Sequence, residues 1–132
     1  MLFDRTVDYI KEGNQFGRPI AGFQAAQHHV ANMRMAIDGA RLAANQAIWW
    51  VGQGQVAERK VAIAKLKCGE AYKNATLTAH QSHGGMGYLR ETNLHLWSER
   101  AKVTEFMGGA EDVQYAVLSK LCISSPERIL FR

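Results

Sequence analysis

The stretch from Phe23 to Gly52 constrains the fold of this chain more than any other feature. Its apolar residues recur every three or four positions, which is the spacing of one face of an α-helix. They are Ala26, Val30, Met33, Ile37, Ala40, Ala44, Ala47 and Val51. Alanine favours a helix because it loses no side-chain entropy there. The stretch therefore predicts one long helix that packs along one side against other helices.

Helical spacing continues in the rest of the chain, and no segment alternates apolar and polar residues as a strand would. Glycine, asparagine and proline residues separate the helical segments. The helices predicted besides residues 23–52 are residues 2–12, 56–82 and 110–123, with a short helix at residues 94–104. Short connections between long helices favour antiparallel neighbours. The sequence therefore predicts an all-α fold, an antiparallel four-helix bundle, as a single domain over residues 1–132.

Composition and residue spacing exclude several classes of function. No apolar run approaches the roughly 18 residues that a membrane span needs, and the first residues lack the features of a signal peptide. We therefore expect no membrane partner and a cytoplasmic location. The net charge of +4 comes from Lys and Arg residues scattered among acids, which predicts no nucleic-acid binding. His80 and His83 share a helix face, but two ligands fall short of a zinc site, and no metal is expected.

Three motifs follow one another along the chain. Together they resemble the carboxy-terminal domain of acyl-CoA dehydrogenases, whose runs are DYAxxRxQFGRPIxxFQxxQ, QxHGGxGYxxE and GTSEIQ. The matching residues are Asp8-Tyr9, Gln15 to Ile20, Phe23 to Gln27, Gln81 to Tyr88 with Glu91, and Gly109 to Gln114. The resemblance covers essentially the whole chain. It implies that this chain corresponds to the last domain of a larger enzyme, which also has an amino-terminal helical domain and a middle β domain.

The resemblance also implies a cofactor and a substrate. Members of the family hold FAD between subunits and convert an acyl-CoA thioester to its 2-enoyl form. Phe16, Gln81 and Gly85 map onto positions that touch the FAD of a neighbouring subunit. Gly84 and Gly85 lack a Cβ, so their backbone N–H groups can approach a diphosphate closely. From the residues alone, the same glycines could equally form a tight connection between two helices.

Two departures from the family pattern affect the predicted chemistry. The arginine that contacts the FAD diphosphate in the family is Gly13 here. The position that carries the catalytic base in many members is Gly108, which has no side chain to accept a proton. The nearest carboxylates, Glu105 and Glu111, each lie three residues away, and a general base must come within about 3 Å of its proton. We therefore predict no catalytic residue in this chain.

Two functions follow from these observations. The first is an FAD-interface and oligomerisation domain that is inactive alone. Its partner would be a second copy of the chain, in a homo-oligomer, or another chain that carries the missing domains, and acyl-CoA would be the substrate of the complete enzyme. The second is a stand-alone helical module for assembly or interaction that has lost flavin chemistry.

Overall fold

The computed structural model describes residues 1–124, and most of them are helical. The α-helices are α1 (Leu2–Glu12), α2 (Gln24–Gly52), α3 (Glu58–His83), α4 (Leu94–Phe106) and α5 (Glu111–Ser124). Short 3₁₀ segments occupy Ile20–Gly22, Gly84–Tyr88 and Arg90–Thr92. The all-α prediction is thereby confirmed. The last part of the predicted domain, residues 125–132, lies outside the described residues.

Helix α4 is more substantial than predicted. It has 13 residues and is nearly as long as α5, which has 14. Asn93 precedes it in the left-handed conformation, with φ 56°, which lets the chain turn sharply into the new helix. Leu94, at the start of α4, is among the largest fully buried side chains. The described part of the chain is therefore a five-helix domain in which α4 contributes to the core.

The segment after α1 contains a small hairpin where the sequence predicted only a turn. Strand β1 (Asn14–Gln15) pairs antiparallel with β2 (Arg18–Pro19), and no other strand pairing occurs among residues 1–124. The two residues at the tip, Phe16 and Gly17, have φ values of 54° and 78°. Positive φ at both central residues is the mark of the type I′ hairpin turn. Phenylalanine rarely adopts this conformation, so residues 16 and 17 do not match the usual pattern of a hairpin turn.

Helices α2 and α3 form the centre of the domain, and mostly small side chains fill the contact. The connection between them is short, at residues 53–57, so the two helices run antiparallel. The buried alanines on the two helices are Ala40, Ala47, Ala62, Ala64, Ala71, Ala75 and Ala79. Because each adds little volume, the helix backbones can approach closely. The alanines that predicted a packed helix are therefore the residues that set the helix–helix distance.

Large apolar side chains lie on the outside of α2. Met35, Leu42 and Trp49 follow one another at seven-residue intervals and are between 58% and 71% exposed. Residues seven apart lie almost on one line along a helix. We refer to Met35, Leu42 and Trp49 as the outer stripe. No helix in the described part of the chain is long and apolar enough to cross a membrane.

Candidate functional site

The glycine-rich segment after α3 begins with a backbone conformation that requires glycine. Gly84 has φ 56° and ψ −133°, a combination that side-chain-bearing residues almost never adopt. Its N–H group donates to the carbonyl oxygen of Gln81, which closes the end of α3. A Cβ at Gly84 or Gly85 would meet no atom within 4 Å. The backbone of these two glycines is therefore open to an approaching group, as a diphosphate-binding loop requires.

His80 holds the rest of this segment against α3 and α4. Its Nδ1–H donates to the carbonyl oxygen of Gly87 at 2.7 Å, and its Nε2 accepts from Ser98 Oγ at 2.8 Å. A Cβ at Gly87 would lie 2.5 Å from the carbonyl oxygen of His80. The chain therefore passes so close to α3 at Gly87 that no larger residue fits. The sequence pointed to His80 only as one of two possible metal ligands, because its contacts with Gly87 and Ser98 depend on the fold.

Replacing Gly87 with alanine is expected to destabilise the protein by about 2 kcal/mol or more, because backbone atoms must move to relieve the clash. Gly85→Ala is the matched control, since its added methyl group meets open space. We expect that control to change the free energy of unfolding by less than about 1 kcal/mol. Urea denaturation followed by circular dichroism measures both variants. Equal stability of the two would show that the His80–Gly87 contact is not close in solution.

Tyr9 joins α1 to the same end of α3. Its ring stacks on the His83 ring with centroids 4.0 Å apart, and its hydroxyl donates to the carbonyl oxygen of His83 at 3.3 Å. The Nδ1–H of His83 donates to the carbonyl oxygen of Ala79 at 2.7 Å. Burial lowers the pKa of His83, which favours the neutral ring in this stack. The helix that precedes the hairpin is thereby fixed on the helix that precedes the glycine-rich segment.

Phe16 projects from the tip of the hairpin. Its side chain is 93% exposed, although it meets the Phe23 ring edge-on at a centroid distance of 6.2 Å. The guanidinium of Arg18 lies 3.9 Å from the centroid of the Phe23 ring. A positive φ costs a phenylalanine roughly 1–2 kcal/mol. The exposed ring of Phe16 is therefore held by a backbone conformation that costs free energy.

Gly13, where the family has arginine, has an ordinary extended backbone with φ −68° and ψ 130°. A Cβ there would lie 3.0 Å from both Ile20 Cδ1 and the carbonyl oxygen of Tyr9. Glycine is therefore not required by the backbone, but it leaves room for a close packing of Ile20. Arg18, the nearest arginine in the sequence, stacks on Phe23 as described above. The resemblance implies a cationic contact to a diphosphate at this position, and Gly13 has no charged side chain to make it.

The turn between α4 and α5 contains the second departure, Gly108. Gly108 and Gly109 have φ values of 73° and 96°. Gln114, a buried residue of α5, donates from Nε2 to the carbonyl oxygen of Gly108 at 3.2 Å. A Cβ at Gly108 would meet no atom within 4 Å. The turn therefore has open space beside Gly108, the position that the resemblance aligns with a catalytic base.

The two carboxylates near this turn are both bound to one lysine. Lys73 Nζ, on α3, lies 2.9 Å from Glu105 Oε1 and also forms a short ion pair with Glu111. Lys102 Nζ lies 3.3 Å from the other oxygen of Glu105. The hydrogen bond from Lys73 lowers the pKa of Glu105. Both carboxylates are therefore held towards α3 by Lys73. No cluster of three or more potential metal ligands occurs among the described residues.

Comparison with known proteins identifies the family. The family model described as "Acyl-CoA dehydrogenase, C-terminal domain" matches residues 1–122. The chain belongs to the acyl-CoA dehydrogenase family and corresponds to its carboxy-terminal helical domain.

Individual relatives agree with this assignment. The probable acyl-CoA dehydrogenase YngJ of Bacillus subtilis is 36% identical over 117 residues, which are 89% of this chain and 31% of that protein. Butyryl-CoA dehydrogenase from Megasphaera elsdenii superposes with a TM-score of 0.89 at 30% identity, covering 92% of this chain and 32% of that one. The FAD complex of PigA superposes with a TM-score of 0.86 at 28% identity, covering 90% of this chain and 31% of that one. The chain thus spans about a third of the length of these relatives.

Proposed function

We propose that this chain is the FAD-interface and oligomerisation domain of an acyl-CoA dehydrogenase-like flavoprotein. The observation that carries the proposal is the exposed ring of Phe16, held at positive φ on the hairpin that follows α1, a helix that Tyr9 joins to the end of α3. Strained residues persist where the surrounding structure enforces them, and they cluster at ligand sites. The open backbone of Gly84 and Gly85 on α3's end supports the same assignment.

Four residues would hold the cofactor. Phe16 would pack on it, Gln81 would donate from its exposed amide, and Gly84 and Gly85 would donate backbone N–H groups to the diphosphate. Bound FAD would supply the hydride acceptor for oxidation of an acyl chain. At the α4–α5 turn no side chain would be free to remove the accompanying proton, because Gly108 has none and Glu105 and Glu111 are paired with Lys73. Oxidation of an acyl-CoA would therefore belong to the complete enzyme.

Self-association is the second part of the proposal. The outer stripe leaves large apolar side chains in contact with water, while the buried contacts of α2 and α3 are largely alanine. Such exposed apolar surface marks an interface. The occupant would be a second copy of this chain or a chain that carries the missing domains. The cytoplasmic location stays a prediction.

A stand-alone assembly module is the competing function, and one observation favours it. The resemblance implies a diphosphate-binding arginine at one position and a catalytic base at another. Both positions, Gly13 and Gly108, are glycine in this chain. Under this alternative the bundle and the outer stripe serve assembly, and the residues after α3 serve only to connect helices.

An FAD titration separates the two functions. We expect flavin fluorescence to be quenched on binding, and Phe16→Ala to weaken the affinity by about tenfold, the lower range for loss of one aromatic stacking contact. Tyr115→Ala is the matched control, because it removes an exposed aromatic ring on α5. If the wild-type chain assembles but leaves FAD fluorescence unchanged, the assembly function is correct and the FAD proposal is wrong.

A further inference from the structure

Two lysines of α3 hold the connection between α4 and α5 from one side. Lys65 Nζ donates to the carbonyl oxygen of Thr104 at 2.6 Å, near the end of α4. Lys73 Nζ binds Glu105, in the last turn of α4, and Glu111, the first residue of α5. The ion pairs of Lys73 therefore bridge the two ends of the turn at residues 107–110.

We propose that Lys73 is a positioning residue that fixes the α4–α5 turn, which contains Gly108, the position that the resemblance aligns with the family's base. The part of the inference that concerns FAD binding rests on the proposed function. The mechanical part, a lysine that holds the turn, rests on the contacts alone.

The turn needs such a restraint because of its sequence. Gly108 and Gly109 are adjacent and both have positive φ, a conformation that glycine adopts easily and also leaves easily. Within the turn and α5, the side chain of Gln114 supplies hydrogen bonds to their carbonyl oxygens. Those bonds hold the glycines to α5, and the ion pairs of Lys73 tie α5 to α4.

Burial strengthens the restraint. The side chain of Lys73 is 27% exposed and that of Glu105 is 14% exposed, so water screens this pair less than a surface pair. Without the ammonium of Lys73, Glu105 would keep its ion pair with Lys102, but the ion pairs that link α4 to α5 through Lys73 would be lost. Loss of Lys73 would therefore remove an attraction between α4 and α5.

Amide hydrogen exchange on the chain without FAD tests the mechanical part. In Lys73→Met we expect the amide of Gln114, which donates to the carbonyl oxygen of Ala110 at 3.3 Å at the start of α5, to exchange at least about tenfold faster, the lower range for loss of hydrogen bonds to charged groups. Amides of the α2–α3 contact, such as those of Ala75 and Ala79, should keep their rates. Lys73→Arg should restore most of the protection. Lys67→Met is the matched control, because Lys67 is also on α3 and forms its ion pair with Glu70 of the same helix.

The exchange rate of the Gln114 amide decides whether Lys73 holds the turn. Unchanged exchange of that amide, or equal acceleration throughout the protein, would overturn the proposal. If Lys73→Met does not fold, Glu111→Gln replaces it with the same expectation for the Gln114 amide. FAD titration of the same variants then tests the functional part: weaker binding in Lys73→Met than in Lys67→Met supports it, and equal binding overturns it. If the wild-type chain binds no FAD, the proposed function fails, and the exchange data still decide the role of Lys73.

Discussion

Mixed with excess FAD, a saturated acyl-CoA and an electron-accepting dye, the chain is expected to leave the dye oxidised. The position aligned with the family's base is Gly108, and loss of a positioned base alone costs about 10²–10⁴-fold in rate. Gly13 removes the charged contact to the diphosphate, which lowers FAD affinity by roughly tenfold to a hundredfold. The chain also spans about a third of its relatives, so the rest of their active site is not supplied by these residues.

Dye reduction is followed by absorbance, with the double variant Glu105→Gln, Glu111→Gln measured beside the wild type. The rate of dye reduction with either protein should equal that of the blank without protein. Reduction that the double variant abolishes would show that one of these glutamates leaves Lys73 and acts as the base. Reduction that survives in the double variant would place the base elsewhere in the chain and contradict our account of the site.

The second large effect concerns assembly. Leu42→Asp places a charge at the centre of the outer stripe, where a partner would have to bury it unpaired. We expect self-association to weaken by about 100-fold, which corresponds to roughly 3 kcal/mol. Helical content should be unchanged, because Leu42 is exposed in the isolated chain. Sedimentation velocity over a range of concentrations measures the effect.

The control for this variant is Asn32→Asp, which adds the same charge to α2 at an exposed position. At 100° per residue, Asn32 lies about 80° around the helix from Leu42, at the edge of the stripe. It should associate nearly as the wild type does. A wild-type chain that sediments as a monomer at micromolar concentration, or a Leu42→Asp variant as associated as Asn32→Asp, would show that the outer stripe is not an interface.

The helices could be predicted from the sequence because the signals that define them are local. The recurrence of Ala40, Ala47 and their neighbours predicted α2 to within one residue of its observed start. The glycines after α3 and before α5 likewise ended or preceded helices where expected. The motifs also identified the segments that carry Phe16, Gln81, Gly84 and Gly85, and their binding of FAD stays a prediction.

The parts that were missed depend on contacts between distant residues or on backbone strain. Lys73 meets Glu105 and Glu111 across separations of 32 and 38 residues, which no spacing rule detects. The clash that makes Gly87 necessary depends on how tightly the chain returns to His80. Phe16 violates the usual preference for glycine or asparagine in its turn. Local rules fail most often at functional or strained positions, and the hairpin is one of these.

The contact between Tyr9 and His83 joins residues 74 positions apart in the chain. Contacts between α2 and α3, by contrast, form around the short connection at residues 53–57. Closing a long loop costs entropy before any contact offsets it. Contacts between residues close in sequence therefore form early in folding, and contacts between residues far apart in sequence form late. The α2–α3 pair is therefore expected to form first, and α1, with the hairpin that carries Phe16, to dock on it afterwards.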